Sequence, residues 1–225
     1  LHLSLGEDKP MDIFAGWDNY VERLTKNWNT LVTDDDTVMI AGDISWAMKL
    51  EQTYTDFKYI DDLPGKKIFL KGNHDYWWNT VSKMKRMTDN AFEFIFNSAL
   101  SVENIALAGT RGWIPETSKK ITEEDKVIIL REQGRLERSL IEAEKFNCEK
   151  IFAILHYPPF DEQRRPTKMM EIMRSHGVTD CIYGHIHGKQ NFNNLPKELE
   201  GIQLHLTSSD YLDFKPLLLT EWNES

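Results

Sequence analysis

The sequence predicts an α/β fold in which two β-sheets form a sandwich flanked by helices. Short apolar runs bounded by Gly, Asn, Asp or Pro alternate with longer stretches whose apolar residues recur three and four positions apart. Strands that alternate with helices form a largely parallel sheet covered on its faces. The last two apolar runs follow one another without a helical stretch, which adds strands beyond that alternation. No Ser/Gly-rich or Pro-rich linker and no internal repeat divides the 225 residues, so we expect a single domain over residues 1–225.

The individual elements follow from these patterns in chain order. Strands are predicted at 38–41, 67–70, 105–108, 151–155, 181–183, 202–207 and 217–220. Helices are predicted at 11–32, 50–63, 81–87 and 122–146. Thr122 and Asp125 have the spacing of a capping box, which indicates a helix start there. Gly134 weakens the expectation that the last helix is unbroken.

Composition excludes several classes of protein. Apolar residues make up 40% of the chain, too many for a disordered protein, yet no apolar run is long enough for a membrane span. The two cysteines, Cys148 and Cys181, lack a paired metal spacing and can form at most one disulfide, which fits a reducing compartment, and we expect a cytoplasmic location. A formal charge of -9 disfavours nucleic acid as a partner, because binding to phosphate backbones requires a cationic surface.

The start of the sequence carries a separate expectation. It opens at Leu1 with no initiator Met, no charged n-region and no apolar segment of a signal peptide. We expect the natural chain to continue upstream and this sequence to lack a first strand.

Polar residues follow four of the predicted strands directly. Asp43 follows the first, Asn73 and His74 the second, His156 the fourth, and His185-Ile186-His187 the fifth. With His2, these positions hold five of the seven histidines. Ligands of α/β proteins gather at the carboxyl ends of strands, so we expect these side chains to meet.

Each residue alone has an ordinary structural explanation. A Gly-Asp pair after a strand is most often a turn, and a histidine that closes an apolar strand is more often a hydrogen-bonded core residue. Their coincidence at successive strand ends points instead to a metal site. Nitrogen and oxygen ligands without thiolate suit Mn, Fe, Zn or Co. If two ions bind, one ligand must bridge them, and Asp43 is the candidate.

The residues together resemble the calcineurin-like metallophosphoesterases. The resemblance rests on Gly42-Asp43, Gly72-Asn73-His74-Asp75, His156 and Gly184-His185-Ile186-His187. The segments 42–46 and 73–78 are similar to a group of bacterial predicted phosphohydrolases. The resemblance implies that family's four-layer sandwich, and hydrolysis of phosphomonoesters or phosphodiesters by a hydroxide that bridges two metal ions, with Mn favoured.

The same resemblance implies a role for each matching residue. His2 and His187 would hold one ion, Asn73, His156 and His185 the other, and Asp43 would bridge them. His74 would protonate the leaving group, oriented by Asp75 or another carboxylate. The family's first motif is Asp-x-His, and its Asp would precede Leu1 in this sequence.

Substrate-binding groups are predicted from their positions after strands. Arg111 in the sequence Gly109-Thr110-Arg111-Gly112-Trp113, and Arg164 in the loop after His156, could hold a phosphate with two hydrogen bonds. Trp46, Trp77 and Trp78 could form an aromatic wall beside the metals, although core packing is an alternative for at least one of them. His176 and His205 lie outside the pattern.

Two other functions remain open at this point. The chain could be a binding module that kept the fold but lost turnover, which the missing Asp would favour. It could also be a nuclease of the same fold, which the acidic chain and the lack of long Lys/Arg clusters disfavour. A small phosphoester is the expected substrate, and the sequence does not indicate an oligomeric state.

Overall fold

The structure is a computed structural model that describes residues 1–6 and 9–221. It contains two β-sheets. The first is parallel, with strand order β1-β2-β3, and consists of β1 (Thr37–Ile40), β2 (Lys66–Leu70) and β3 (Phe92–Ile95). The second has the order β4-β5-β6-β7-β9-β8 and consists of β4 (Ala99–Val102), β5 (Ile105–Thr110), β6 (Lys150–Leu155), β7 (Asp180–Tyr183), β8 (Glu198–Leu199) and β9 (Ile202–Leu206). Its outer strands β4 and β8 are antiparallel to their neighbours, and the other pairs are parallel.

Within the described residues, five α-helices cover the sheets. They are α1 (Tyr20–Leu31), α2 (Tyr54–Asp61), α3 (Val81–Met87), α4 (Glu123–Glu144) and α5 (Lys168–Ser175). Short 3₁₀ helices lie at Leu50–Thr53 and Lys189–Asn191. None of the helices in residues 1–6 and 9–221 has the length and apolar character needed to cross a membrane.

The buried apolar residues divide into three clusters that define four layers. The central cluster joins residues of the first sheet, such as Ile68 and Leu70, to residues of the second, such as Phe152 and Ile154. A second cluster packs the first sheet against α1, α2 and α3, and a third packs the second sheet against α4 and α5. The layers are therefore helices, sheet, sheet and helices, which confirms the predicted fold class.

Several elements differ from the sequence prediction. Residues 11–19 do not continue α1, because Gly16 and Asn19 adopt positive φ angles of 90° and 52° that a regular helix excludes. The predicted strand at 217–220 is wrong: these residues form no strand, and Leu218 is 65% exposed. Pro216 precedes the segment and has no N–H to donate to a sheet. Strands β3, β4 and β8 and helix α5 were not predicted.

Helix α4 begins at the predicted cap and is unbroken. The Thr122 hydroxyl accepts a hydrogen bond from the amide of Asp125, and the Asp125 carboxylate accepts one from the amide of Thr122. Gly134 lies within the helix, and a Cβ added there would meet only the guanidinium of Arg138 at 3.6 Å. The burial of the face that carries Leu136 and Leu140 outweighs the low helix propensity of Gly134.

A buried carboxylate connects the loops that follow β1 and β2. Oδ2 of Asp75 accepts hydrogen bonds from the amides of Asp43 at 2.9 Å and Gly72 at 2.7 Å. Oδ1 accepts from the amide of Ile44 at 2.8 Å and the indole N–H of Trp77 at 3.1 Å. Burial and the charge of Asp43 raise the pKa of Asp75, whereas the backbone donors oppose that rise. Asp75 thus fixes the ends of two neighbouring strands relative to each other.

Replacing Gly134 by Ala is expected to stabilise the protein. The new methyl group has space and the residue is helical, so Gly134→Ala should raise the free energy of unfolding by about 0.5–1 kcal/mol. Gly109→Ala is the matched control, because its Cβ would lie 2.2 Å from the carbonyl oxygen of Ile154 and should destabilise β5. Urea denaturation of both variants measures the difference, and a loss of stability in Gly134→Ala would contradict the expectation.

Removing the Asp75 carboxylate should destabilise the fold strongly. Asp75→Ala leaves several buried donors without an acceptor, and we expect a loss of about 3 kcal/mol or more in the free energy of unfolding. Asp35→Ala, at an exposed position, should change the stability by less than about 0.5 kcal/mol. Similar midpoints of urea unfolding for the two variants would show that Asp75 is not the link described above.

Candidate metal centre

The carboxyl ends of β1, β2, β6 and β7 bring the predicted polar residues to one place. The six side chains that make up this donor cluster are His2, Asp43, Asn73, His156, His185 and His187. His2 reaches it because its amide donates to the carbonyl of Asp43 at 2.7 Å, and the next residue forms a parallel bridge with Ser45. Residues separated by as many as 185 positions are therefore in contact.

The contacts divide the donor cluster into two groups. In the first, Nε2 of His2 lies 3.1 Å from Nε2 of His187. In the second, Oδ1 of Asn73 lies 2.7 Å from Nε2 of His156 and 3.0 Å from Nδ1 of His185. The grouping is the one that the resemblance implied.

Asp43 lies between the two groups. Its Oδ2 is 3.6 Å from Nε2 of His2 and 3.3 Å from Nε2 of His156. Its Oδ1 accepts a hydrogen bond from the amide of His74 at 2.8 Å. One carboxylate oxygen therefore faces both groups while the other is held by the backbone.

The protonation states favour ligation. Burial lowers the pKa of His2 well below its usual range and that of His185 to about 4, aided for His185 by repulsion from His156. Burial alone would raise the pKa of Asp43, but its hydrogen bond with His156 and the attraction of His156 and His2 hold it well below the ordinary value. Neutral imidazoles and an ionised carboxylate are the forms that coordinate metal ions.

Further hydrogen bonds orient two of the histidines. Nδ1 of His156 contacts the carbonyl of Ala41 at 2.8 Å, and Nδ1 of His187 contacts Oδ1 of Asp210 at 2.7 Å. The other oxygen of Asp210 accepts from the amide of Gly188 at 2.8 Å. In the neutral form of each ring, a proton on Nδ1 satisfies this contact and the Nε2 lone pair then faces the cluster.

Asp210 was missed by the sequence analysis. It follows β9 in the sequence Ser208-Ser209-Asp210, so it carries the same signal as the other polar residues that follow strands.

Glycine is required where the loops approach each other. A Cβ on Gly72 would lie 2.1 Å from Oδ1 of Asp43, and one on Gly42 would lie 2.6 Å from the backbone of Gly72. Any side chain at these positions would displace the central carboxylate of the cluster.

The chemistry of the donor set fits divalent ions. With the side chains where they are, no group of three or more His, Cys, Asp or Glu residues within 1–6 and 9–221 forms a ready-made metal cage. The donors instead contact each other. Contacts of 2.7–3.1 Å within each group are close to the separation of neighbouring ligands on one ion whose bonds are about 2.0–2.2 Å long. The donor atoms of each group face each other with their lone pairs, and a cation bound between them would accept those lone pairs.

His74 lies beside the cluster but is not oriented by Asp75. Its ring centroid is 4.5 Å from that of Trp46 and 5.8 Å from that of His2. Among the described residues, buried Nδ1 of His74 has no hydrogen-bond partner. The carboxylate of Asp75 is fully buried and holds backbone amides, so the expected contact between these two side chains does not occur.

The two predicted arginines differ in position. The carbonyl of Arg111 accepts hydrogen bonds from the amides of His156 and Tyr157 at 3.0 Å each, which places Arg111 next to the cluster. Its guanidinium stacks on Trp113 at 4.4 Å. Arg164 lies over Phe160 at 5.4 Å and, within the described chain, forms no hydrogen bond or ion pair with the cluster.

The aromatic wall differs in part from the prediction. Trp46 stacks on His2 with centroids 5.2 Å apart, and Trp17, which was not predicted, lies 5.8 Å from His2 and 5.7 Å from His187. Trp77 is 1% exposed and packs edge-on against Phe57 in the core. Trp78 is also buried, beside Trp77.

The remaining histidines pair elsewhere. Nδ1 of His176 lies 2.7 Å from Glu144, and Nε2 of His205 lies 2.8 Å from Asp180.

A known protein is similar to part of this chain. Gene 66 protein of Mycobacterium phage L5 is 38% identical over 76 residues, which are 32% of this chain and 36% of the phage protein. The match therefore spans about a third of that relative's length.

Two solved structures superpose on most of this chain. TT1561 of Thermus thermophilus superposes with a TM-score of 0.58 at 12% identity, over 85% of this chain and 84% of that one. The protein of unknown function AQ665 from Aquifex aeolicus gives a TM-score of 0.47 at 20% identity, over 91% of this chain and 82% of that one.

The family model for calcineurin-like phosphoesterases matches residues 2–189, a range that contains all six members of the donor cluster. The chain belongs to the calcineurin-like phosphoesterase family.

Proposed function

We propose that this protein is a metal-dependent phosphoesterase that hydrolyses phosphomonoesters or phosphodiesters with two divalent ions. The observation that carries the proposal is the division of six donors into two groups on either side of one oxygen of Asp43. A protein that only binds a ligand has no need to place an ionised carboxylate among four histidine side chains.

Each donor has a proposed place. His2 and His187 would hold one ion, Asn73, His156 and His185 would hold the other, and Asp43 would contribute to both. When bound, two such ions acidify a shared water and neutralise phosphoryl oxygens. Manganese is the favoured metal, since imidazole, amide and carboxylate donors without thiolate suit it.

The surrounding side chains position these groups. Asp210 keeps the Nδ1 proton of His187 and so directs its Nε2 into the site. Trp17 and Trp46 cover His2 and limit the access of water to that side. His74 is the proposed proton donor to the leaving oxygen, because its ring lies beside His2 and no carboxylate of the described chain occupies its Nδ1.

Loss of one donor should remove both metal and activity. We expect the full-length protein to hydrolyse bis-p-nitrophenyl phosphate with added Mn²⁺, and His185→Ala or Asn73→Ala to reduce kcat/KM by at least about 1,000-fold. Elemental analysis should show less than two bound ions in these variants. His205→Ala is the control, since His205 pairs with Asp180 outside the cluster. Wild-type protein that binds no metal and has no activity would favour the binding module instead.

Loss of His74 should spare the metals and affect the rate. His74→Ala should retain the wild-type metal content and lose about 10²- to 10⁴-fold in kcat on esters with poor leaving groups, but much less on p-nitrophenyl esters that need no proton. His176→Ala serves as the control. An equal loss on activated and unactivated esters would refute the role as a proton donor, because the backbone amide of His74 that holds Asp43 is retained in the variant.

A further inference from the structure

A cavity lined by cationic side chains lies next to the donor cluster. Its volume is about 190 Å³, room for roughly six water molecules or one phosphate group. The charged side chains that line it are Lys71, Arg111, Arg131, Arg135 and Glu132. We call it the cationic pocket. Four cations and one carboxylate leave it a formal charge of +3.

The carboxylate of Glu132 does not neutralise the four cations of the cationic pocket. Glu132 is fully buried, and its Oε1 lies 2.6 Å from Arg135 and 3.9 Å from Arg131. Its Oε2 accepts a hydrogen bond from the hydroxyl of Thr110 at 2.6 Å. Glu132 is therefore satisfied by one close arginine and one hydroxyl, and the remaining cations are in excess.

Two of the excess cations have no ionic partner. Lys71 and Arg111 form no ion pair within residues 1–6 and 9–221, and Nε of Arg111 is buried without a hydrogen-bond acceptor. Guanidinium donors are suited to bind two oxygens of a phosphate at once. A buried N–H group without an acceptor costs free energy. Binding of an anion that accepts a hydrogen bond from Nε of Arg111 would remove this cost.

The cationic pocket and the donor cluster share backbone segments. Lys71 precedes Asn73 by two residues, and the carbonyl of Arg111 accepts from the amide of His156 at 3.0 Å. Both sites therefore lie at the carboxyl ends of β2 and β5 and their neighbours. The two sites are therefore neighbours along the same chain segments.

We propose that the cationic pocket binds a second phosphate group of the substrate, so that the enzyme prefers phosphoesters that carry another phosphate near the one that is hydrolysed. This inference rests on the proposed function for its catalytic part, but binding of the anion does not. The cationic pocket binds one small dianion. Arg131 and Lys71 attract it by their positive charge, and the guanidinium N–H groups of Arg111 donate hydrogen bonds to two of its oxygens.

Direct binding tests the pocket apart from catalysis. Full-length protein treated with a chelator is titrated calorimetrically with inorganic phosphate, so that no metal competes for the anion. Arg131→Gln and Lys71→Gln should each weaken binding about tenfold, the size of one charge-assisted hydrogen bond. Arg138→Gln removes an exposed charge from the same helix outside the pocket and should bind as the wild type does. No binding by the wild type, or equal affinities in all four proteins, would overturn the proposal.

Substrate preference tests the link to catalysis. The Mn²⁺-loaded protein is assayed with hexane-1,6-diol bisphosphate and with hexyl phosphate, which differ by one phosphate group. The ratio of their kcat/KM values should favour the bisphosphate and fall about tenfold in Arg131→Gln, but not in Arg138→Gln. A ratio unchanged by Arg131→Gln would overturn the proposal. Absence of turnover with both esters, together with normal phosphate binding, would instead refute the proposed phosphoesterase and leave an anion-binding pocket.

Discussion

The buried carboxylate of Asp75 is the constraint on which the arrangement of the site depends. It receives the amides of Asp43, Ile44 and Gly72 from two separate loops. No cation pairs with it among the residues described, so backbone dipoles stabilise its charge. Because these bonds draw the loops together, the backbone of Gly72 approaches Asp43 so closely that a side chain would not fit. The position of the central carboxylate is therefore set by backbone contacts.

Two neighbouring sites of opposite charge follow from this framework. The donor cluster contains the ionised carboxylate of Asp43, and burial lowers the pKa of His2 and His185, so the cluster offers lone pairs to cations. The cationic pocket is lined by Lys71, which directly precedes Gly72, and attracts anions. A phosphoester with a second phosphate presents charge to both sites at once. The strand ends that carry the donor cluster thus also place the groups that would select the substrate.

Site residues can be predicted from the sequence when the evidence for them lies in their immediate sequence neighbours. They cannot be predicted when their role depends on contacts that only the fold creates. Asp43, His156 and His185 were found because each directly follows a strand, a local signal. Asp210 has the same signal after β9 and could have been found, whereas Trp17 belongs to turns before α1 and has none. Short strands such as β3 were missed because four residues carry little periodicity. The role of Asp75 depends on which amides its carboxylate meets, and adjacency to His74 in sequence suggested the wrong partner.

A net negative charge on the protein does not prevent the cationic pocket from binding an anion. The net charge acts on ligands at the surface, whereas the cations of the pocket act on an anion in direct contact with them. A formal charge of -9 repels long polyanions such as nucleic acids at the surface, and this repulsion is screened over about 8 Å at physiological ionic strength. Within the cavity, by contrast, the excess of cations acts at contact distance in a poorly solvated place, where charges interact more strongly. A nuclease would need a cationic surface along the path of the strand. A cavity of about 190 Å³ accommodates a single anionic group instead, so charge and volume together favour a small substrate with two phosphates.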